Sequence, residues 1–227
     1  MSSSLPWLDL PDTAPTATRI ASLTAHDIVE GRLRAGDLLT EAAIAEPFGA
    51  SRTPAREAMV QLSRWGLVRL IPKKGALVTN PESDELRDLL DVRVMFECGA
   101  VETLTSERQP ELAADLGVIV RAQREALERA DITAFAEHDV AFHLGIIAAG
   151  GNTVVDELMA TLGPRFARLI HRAVRDNPPA AAVFCDEHAS LAEAVAAGNS
   201  SGFETLLRRH VAAGHVPAGE FGARSSA

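Results

Sequence analysis

Beyond residue 85, apolar residues recur at helical spacing in six stretches: Leu86–Leu104, Leu112–Ala130, Ile132–Ala149, Val154–Val174, Ala180–Ala197 and Gly202–Ala213. The interruptions fall at Gln109-Pro110, Gly150-Gly151-Asn152, Asn177-Pro178-Pro179 and Gly198-Asn199-Ser200. No strand alternation follows Thr79, so this half predicts an all-α bundle whose apolar stripes face one another. The segment before it has a different rhythm. Ala55, Ala58, Met59, Leu62 and Trp65 follow a 3.6-residue period and predict one short helix with a buried face. Leu67–Ile71 and Ala76–Thr79 alternate weakly around Pro72-Lys73-Lys74-Gly75 and predict a hairpin.

The local chemistry sharpens this picture. Gly49 suits the positive φ that ends a helix. Ser51 and Thr53 are N-cap candidates, and Pro54 falls in the first helical turn, where a missing N–H costs little. Arg52 and Arg56 then lie one turn apart at the N-terminal end of the helix. Helix, hairpin and basic tip together predict a winged helix-turn-helix, in which that end enters the major groove. Arginine there can fork onto guanine or clamp phosphate. Pro47 predicts a kink or an early end to the preceding helix before Phe48.

Charge changes the reading of the whole. The chain of 227 residues carries a net charge of −9, yet Ser51–Asn80 holds six cations (Arg52, Arg56, Arg64, Arg69, Lys73, Lys74) against Glu57. From Glu82 onward there are thirteen basic and twenty-three acidic residues. A basic island in an acidic chain points to a polyanion at one end and a different task at the other. No apolar run reaches the roughly 18–20 residues of a membrane span. The Ser/Pro/Thr-rich start lacks the features of a signal peptide. Two cysteines, Cys98 and Cys185, give no disulfide framework or zinc-cysteine motif, which fits a cytoplasmic location. Aromatics make up only 4% of residues, which argues against a stacking platform for single strands.

Four polar residues in the helical half suggest further chemistry. Asp139 and His143 are one turn apart and point the same way. His188 is placed near the start of a later helix, and His210 lies on the last one. A carboxylate with imidazoles suits zinc, nickel, manganese or a related divalent ion. On spacing alone the commoner reading is a surface Asp-His hydrogen bond and structural histidines. Arg93 could likewise be spent on a salt bridge to Glu97 or Asp139.

The motifs I-V-E-G-R-L-R-A-G-D-L-L-T-E, S-R-T-P-A-R-E-A-M, G-L-V and K-K-G-A-L-V resemble the DNA-binding domain of the GntR transcriptional regulators. D-L-L-D-V-R-V-M-F-E-C-G-A-V, A-E-H-D-V-A-F-H, G-G-N-T-V-V-D-E-L, D-E-H-A-S-L and L-L-R-R-H-V resemble the FCD effector domain of its FadR-type branch. The first resemblance implies operator contacts from Arg52, Thr53 and Arg56, with Gly75 at the wing. Ser51, Lys73 and Lys74 complete the expected DNA-binding set. The second implies a divalent ion held by Asp139, His143, His188 and His210, with Arg93 reaching a ligand. Metal and Arg93 would together favour a small organic acid as effector. One departure from the family pattern is Ala42, where many relatives carry a DNA-contacting arginine; Pro47 is another.

The expectation is therefore a mainly α protein. It comprises an N-terminal arm (1–18), a winged helix-turn-helix (19–80), a linker (81–84), an all-α effector, metal-binding and dimerisation domain (85–216) and a tail (217–227). The expected function is a cytoplasmic, homodimeric, ligand-responsive regulator of operator DNA, most simply a repressor. A metal sensor without an organic effector and a metal-dependent enzyme are the competing readings.

Overall fold

The computed structural model describes residues 10–11, 13–81 and 83–215. Helix α1 (Thr16–Val29) buries Ile20, Ala21, Ala25, Ile28 and Val29 along one stripe. It starts directly after Pro15, so Thr16–Thr18 form its first turn and do not extend the expected N-terminal arm. The remaining arm residues 1–9 and 12, and the tail 217–227, lie outside the described residues. Strand β1 (Leu38–Leu39) and helix α2 (Glu41–Ala45) follow, with the Thr40 side chain accepting from the Ala43 N–H at 3.2 Å. Pro47 ends α2 early, as its missing N–H and ring require. The chain passes through a 3-10 turn, Glu46–Phe48, and reverses at Gly49, whose φ is +56°.

Helix α3 (Arg52–Arg64) buries Ala55, Ala58, Met59 and Leu62, the face that the periodicity predicts. Ser51 takes the N-cap position but makes no side-chain cap hydrogen bond, and Thr53 lies inside the helix. Strands β2 (Val68–Ile71) and β3 (Gly75–Val78) form the wing. β1 adds to the far side of β3, giving an antiparallel order β1-β3-β2. Two residues are too short for a sequence pattern, which is why β1 was not expected. Lys73 turns the hairpin with a φ of 62°, and Gly75 has a φ of 118°. A Cβ on Gly75 would lie 2.0 Å from the Leu39 carbonyl oxygen, so only glycine lets β1 approach this closely.

Six long helices follow: α4 (Ser83–Thr103), α5 (Arg108–Glu128), α6 (Ile132–Ala149), α7 (Thr153–Asp176), α8 (Ala181–Ala196) and α9 (Ser200–His215). Two expected breaks are corrected. The linker loses Ser83 and Asp84, because α4 begins there with acidic residues on its positive dipole end. Gln109-Pro110 does not interrupt a helix; it lies in the first turn of α5, where proline is tolerated.

The chain forms two compact units. The first joins the residues up to Leu86 with Thr153–Arg172 of α7. Within it Arg168 donates to the Thr79 hydroxyl at 3.0 Å and to the Thr79 carbonyl at 2.6 Å, and Arg165 pairs with Glu85. The second joins Arg87–Asn152 with the chain from Ala173 onward. Here α5 packs against α6 and α8, and α8 against α9, around Leu116, Phe135, Val140, Phe142, Leu191 and Phe203. With a mean hydropathy of 1.2, α6 is long and apolar enough by composition to cross a membrane, contrary to the expectation of no such run. It instead supplies core residues and carries buried Asp139 and His143.

The wing generates a direct test. Gly75→Ala adds a methyl against the Leu39 backbone in a strained conformation. It should destabilise the first unit by about 1–3 kcal/mol. Gly99→Ala, inside α4 with no atom within 4 Å of the new Cβ, should stabilise by roughly 0.5–1 kcal/mol. Thermal melts of the two variants should therefore shift in opposite directions.

Candidate functional site

Two constellations stand out. In the first unit, α3 and the wing line a concave groove of about 680 Å³ that brings together Arg52, Arg56, Lys73, Lys74 and Gly75. Ser51 and Thr53 are exposed at the start of α3 but do not line it. Sequence reasoning missed Glu41 on α2. Arg56 donates from Nε to Glu41 Oε1 at 2.8 Å and from Nη2 to Oε2 at 3.3 Å. That hydrogen bond and the charge of Arg56 hold the Glu41 carboxyl below its usual range. The pair fixes the guanidinium above the groove while its side chain stays 72% exposed. Ala42, exposed on the same short helix, places no cation there.

The second constellation lies inside the other unit. α6 contributes Asp139 and His143, α8 contributes His188 and α9 contributes His210, all of them buried. The four residues are thus brought together from three helices. The Nε2 atoms of His143 and His188 are 3.1 Å apart, and those of His188 and His210 are 3.4 Å apart. One ligand atom from each of the three rings lies within 4.8 Å of the others. Asp139 Oδ1 is 3.5 Å from His143 Nε2, and Oδ2 is 3.9 Å from His188 Nε2.

What fixes the rings is a second set of polar residues. His143 Nδ1 donates to Glu97 Oε2 at 2.8 Å, His188 Nδ1 to Gln123 Oε1 at 3.0 Å, and His210 Nδ1 to Glu187 Oε2 at 2.8 Å. Each acceptor selects the tautomer with its proton on Nδ1. Three Nε2 lone pairs then converge on one small region, a donor set that could hold a metal ion. Neither Gln123 nor Glu187 was singled out in the sequence. The signal for Gln123 was present: it interrupts the buried stripe Leu116, Val120, Gln123 on α5 with a polar side chain. Glu187 left no such trace, because it neighbours a histidine on a mostly apolar helix.

Beside this cluster, Arg93 on α4 is 1% exposed and donates from Nε to Glu97 Oε1 at 2.8 Å. The expected alternative of a Glu97 salt bridge is therefore realised, but it uses only one edge of the guanidinium. Nη1 and Nη2 are buried without a hydrogen-bond partner among the described residues. Such orphaned cationic donors are costly unless an anion meets them.

Burial dominates the electrostatics. It raises Asp139 to about 7, opposed by the nearby Arg93 charge, and also pushes Glu97 up. It drives His188 well below its usual range, helped by the charges of the other two imidazoles and Arg93, and lowers His210. His188 and His210 are thus pushed toward the neutral form, the one that ligates metal. Cys98 and Cys185 are free, and burial lifts the Cys98 thiol to about 11, so neither is a thiolate at neutral pH.

The similarities to known proteins agree with this division of labour. Residues 16–78 match the family of bacterial regulatory proteins of the gntR type, and residues 88–213 match the FCD domain. The chain belongs to the GntR family of transcriptional regulators and carries an FCD domain, so it is a DNA-binding regulator and not an enzyme. An uncharacterised HTH-type regulator in an unstable DNA locus of Streptomyces ambofaciens is 30% identical over 80% of this chain and 75% of its own length. The gluconate operon transcriptional repressor of Bacillus subtilis is 30% identical over 74% of this chain and 68% of its own. A GntR-type regulator structure from Rhodococcus sp. RHA1 shares the fold, with a TM-score of 0.72 and 23% identity over 87% of this chain and 94% of that one.

A pH test follows for the metal-free protein. Between 3.8 and about 7 folded Asp139 keeps a proton that the unfolded chain releases. Its contribution to stability therefore falls as pH rises through that window, and the full cost is in place above 7. Asp139→Asn should raise the stability of chelator-treated protein at pH 8 by roughly 2–4 kcal/mol and leave it little changed at pH 4. Denaturant melts at the two pH values measure this.

Proposed function

We propose that this chain is a cytoplasmic, homodimeric repressor whose helical unit binds one divalent cation and a small carboxylate, and whose winged helix grips operator DNA accordingly. The observation that carries the effector half is the convergence of three locked Nε2 lone pairs beside an Arg93 guanidinium with two nitrogens that lack a partner among the described residues. The donor set fits a zinc-, nickel- or manganese-class ion held by Asp139, His143, His188 and His210. When bound, such an ion supplies positive charge that joins the imidazoles and draws in an anion. The two free nitrogens of Arg93 form a planar fork that matches a carboxylate. A sensor of metal alone has no use for that fork, which is why the organic-acid reading is preferred. The gluconate-operon and other operon repressors among the relatives support repression as the output.

On the DNA side, Arg52 and Arg56 read the groove, with Ser51, Thr53, Lys73, Lys74 and Gly75 around them. Two symmetric copies on an inverted repeat give the specificity that one short helix lacks. The link between ligand and DNA runs along the chain. α4, which bears Arg93, begins five residues after β3 ends at Val78. α7 passes from one unit into the other after Arg172. The ligand must favour one arrangement over the other to be felt at the operator. A coupling of about 1–3 kcal/mol is typical and would change occupancy from several-fold to a hundredfold.

Elemental analysis should find one divalent ion per chain, and the His143→Ala, His188→Ala double variant should lose it together with several degrees of melting temperature. Full occupancy in that variant would place the metal elsewhere. Arg93→Ala should keep the metal and basal operator binding but lose the response to a panel of small organic acids that includes gluconate and citrate. A wild-type response would make Arg93 purely structural.

Arg52→Ala and Arg56→Ala should each weaken operator binding by about 1–3 kcal/mol without unfolding the protein. Lys73→Ala should weaken binding less selectively and lower the salt slope. Fluorescence anisotropy at several salt concentrations separates the two behaviours, and unchanged affinity in both arginine variants would remove α3 from the interface.

A further inference from the structure

Among the described residues, Glu97 is the one side chain in the buried cluster with hydrogen bonds to both Arg93 and a histidine of the cluster. It is fully buried, on the core face of α4 one turn beyond Arg93. Its Oε1 accepts from Arg93 Nε at 2.8 Å, and its Oε2 accepts from His143 Nδ1 at 2.8 Å. The other two acceptors behave differently. Gln123 serves His188, and Glu187 serves His210, with no hydrogen bond from either to Arg93.

We infer that Glu97 is a positioning residue that ties the anion anchor to the metal ligands: one oxygen sets the tautomer and direction of His143, the other holds Arg93. This deepens the reading above and rests on it. The donor arithmetic makes the role specific. Two N–H groups, one cationic and one neutral, each take a different oxygen of this side chain. Only a carboxylate offers an acceptor oxygen to each. An amide of the same shape offers one oxygen and one NH₂. The oxygen stays with the charged guanidinium, because charge-assisted hydrogen bonds are the stronger. The NH₂ then faces His143 Nδ1, which becomes an acceptor and moves the ring proton to Nε2. A protonated Nε2 cannot ligate. Glu97→Gln therefore removes a metal ligand without touching it. Arg93→Met in the same chain removes the competing donor, frees the amide oxygen for His143 and returns the ligating tautomer.

Zinc affinity of the full chain, measured by chelator competition, tests this. Glu97→Gln should bind zinc about 10- to 100-fold more weakly than wild type, the usual cost of losing an outer-shell partner. The Arg93→Met, Glu97→Gln double variant should bind zinc more tightly than Glu97→Gln alone. A side chain that merely fills space would not be rescued by a second loss. The proposal is overturned if Glu97→Gln stays within twofold of wild type, or if the double variant binds no better than the single one. Where Glu97→Gln is too unstable to purify, Arg93→Met alone decides. Glu97 then accepts only from His143 and zinc affinity should hold or rise, whereas a tenfold fall would show that Arg93 supports the ligands without Glu97. Wild-type protein that binds no zinc would instead defeat the metal-site reading itself, a result distinct from tight wild-type binding with failed rescue.

Discussion

A helical core that buries three imidazoles, two carboxylates and a guanidinium has to settle its charges internally, and the rest of this structure is organised around that requirement. These groups are buried away from bulk solvent, so each ring nitrogen depends on a fixed partner within the protein. The Nδ1 atoms find Glu97, Gln123 and Glu187. The Nε2 atoms face one another. In such a setting burial opposes charge, holding His188 neutral and Asp139 close to protonation. The proposed ion- and anion-binding centre would relieve these costs together.

Much of this was legible in the sequence, and the reasons are physical. The stripe Ala55, Ala58, Met59, Leu62 follows directly from helical geometry, and it is buried. Pro47 follows the early end of α2 because it lacks an N–H, and Gly49 closes the 3-10 turn after it because it can adopt a left-handed φ. Asp139 and His143 share a face because four residues make about one turn. His188 and His210 could be joined to them only through family resemblance, since nothing in spacing brings three helices to one point. The second set of polar residues was least legible. Glu187 looks like any charged helical residue until the fold turns it toward His210. Strand β1 was invisible because two residues carry no period; its presence depends on Gly75 leaving room for the Leu39 carbonyl.

The same contrast holds at the DNA end. The basic groove could be anticipated from charge, but the Glu41–Arg56 pair could not, because it is set by how α2 meets α3. An arginine already forked onto a carboxylate is preorganised, and it must trade that partner, or share it, to reach a base. Both functional ends of the chain thus rely on a glutamate that orients an arginine: Glu41 holds Arg56 at the surface, and Glu97 holds Arg93 in the core.

X-ray absorption at the zinc edge of the metal-loaded protein tests the central claim most directly. Three imidazoles with oxygen donors completing the shell, and no sulfur, is the predicted result. A sulfur ligand, or fewer than two imidazoles, would contradict the account by showing that the metal does not occupy the convergence of His143, His188 and His210.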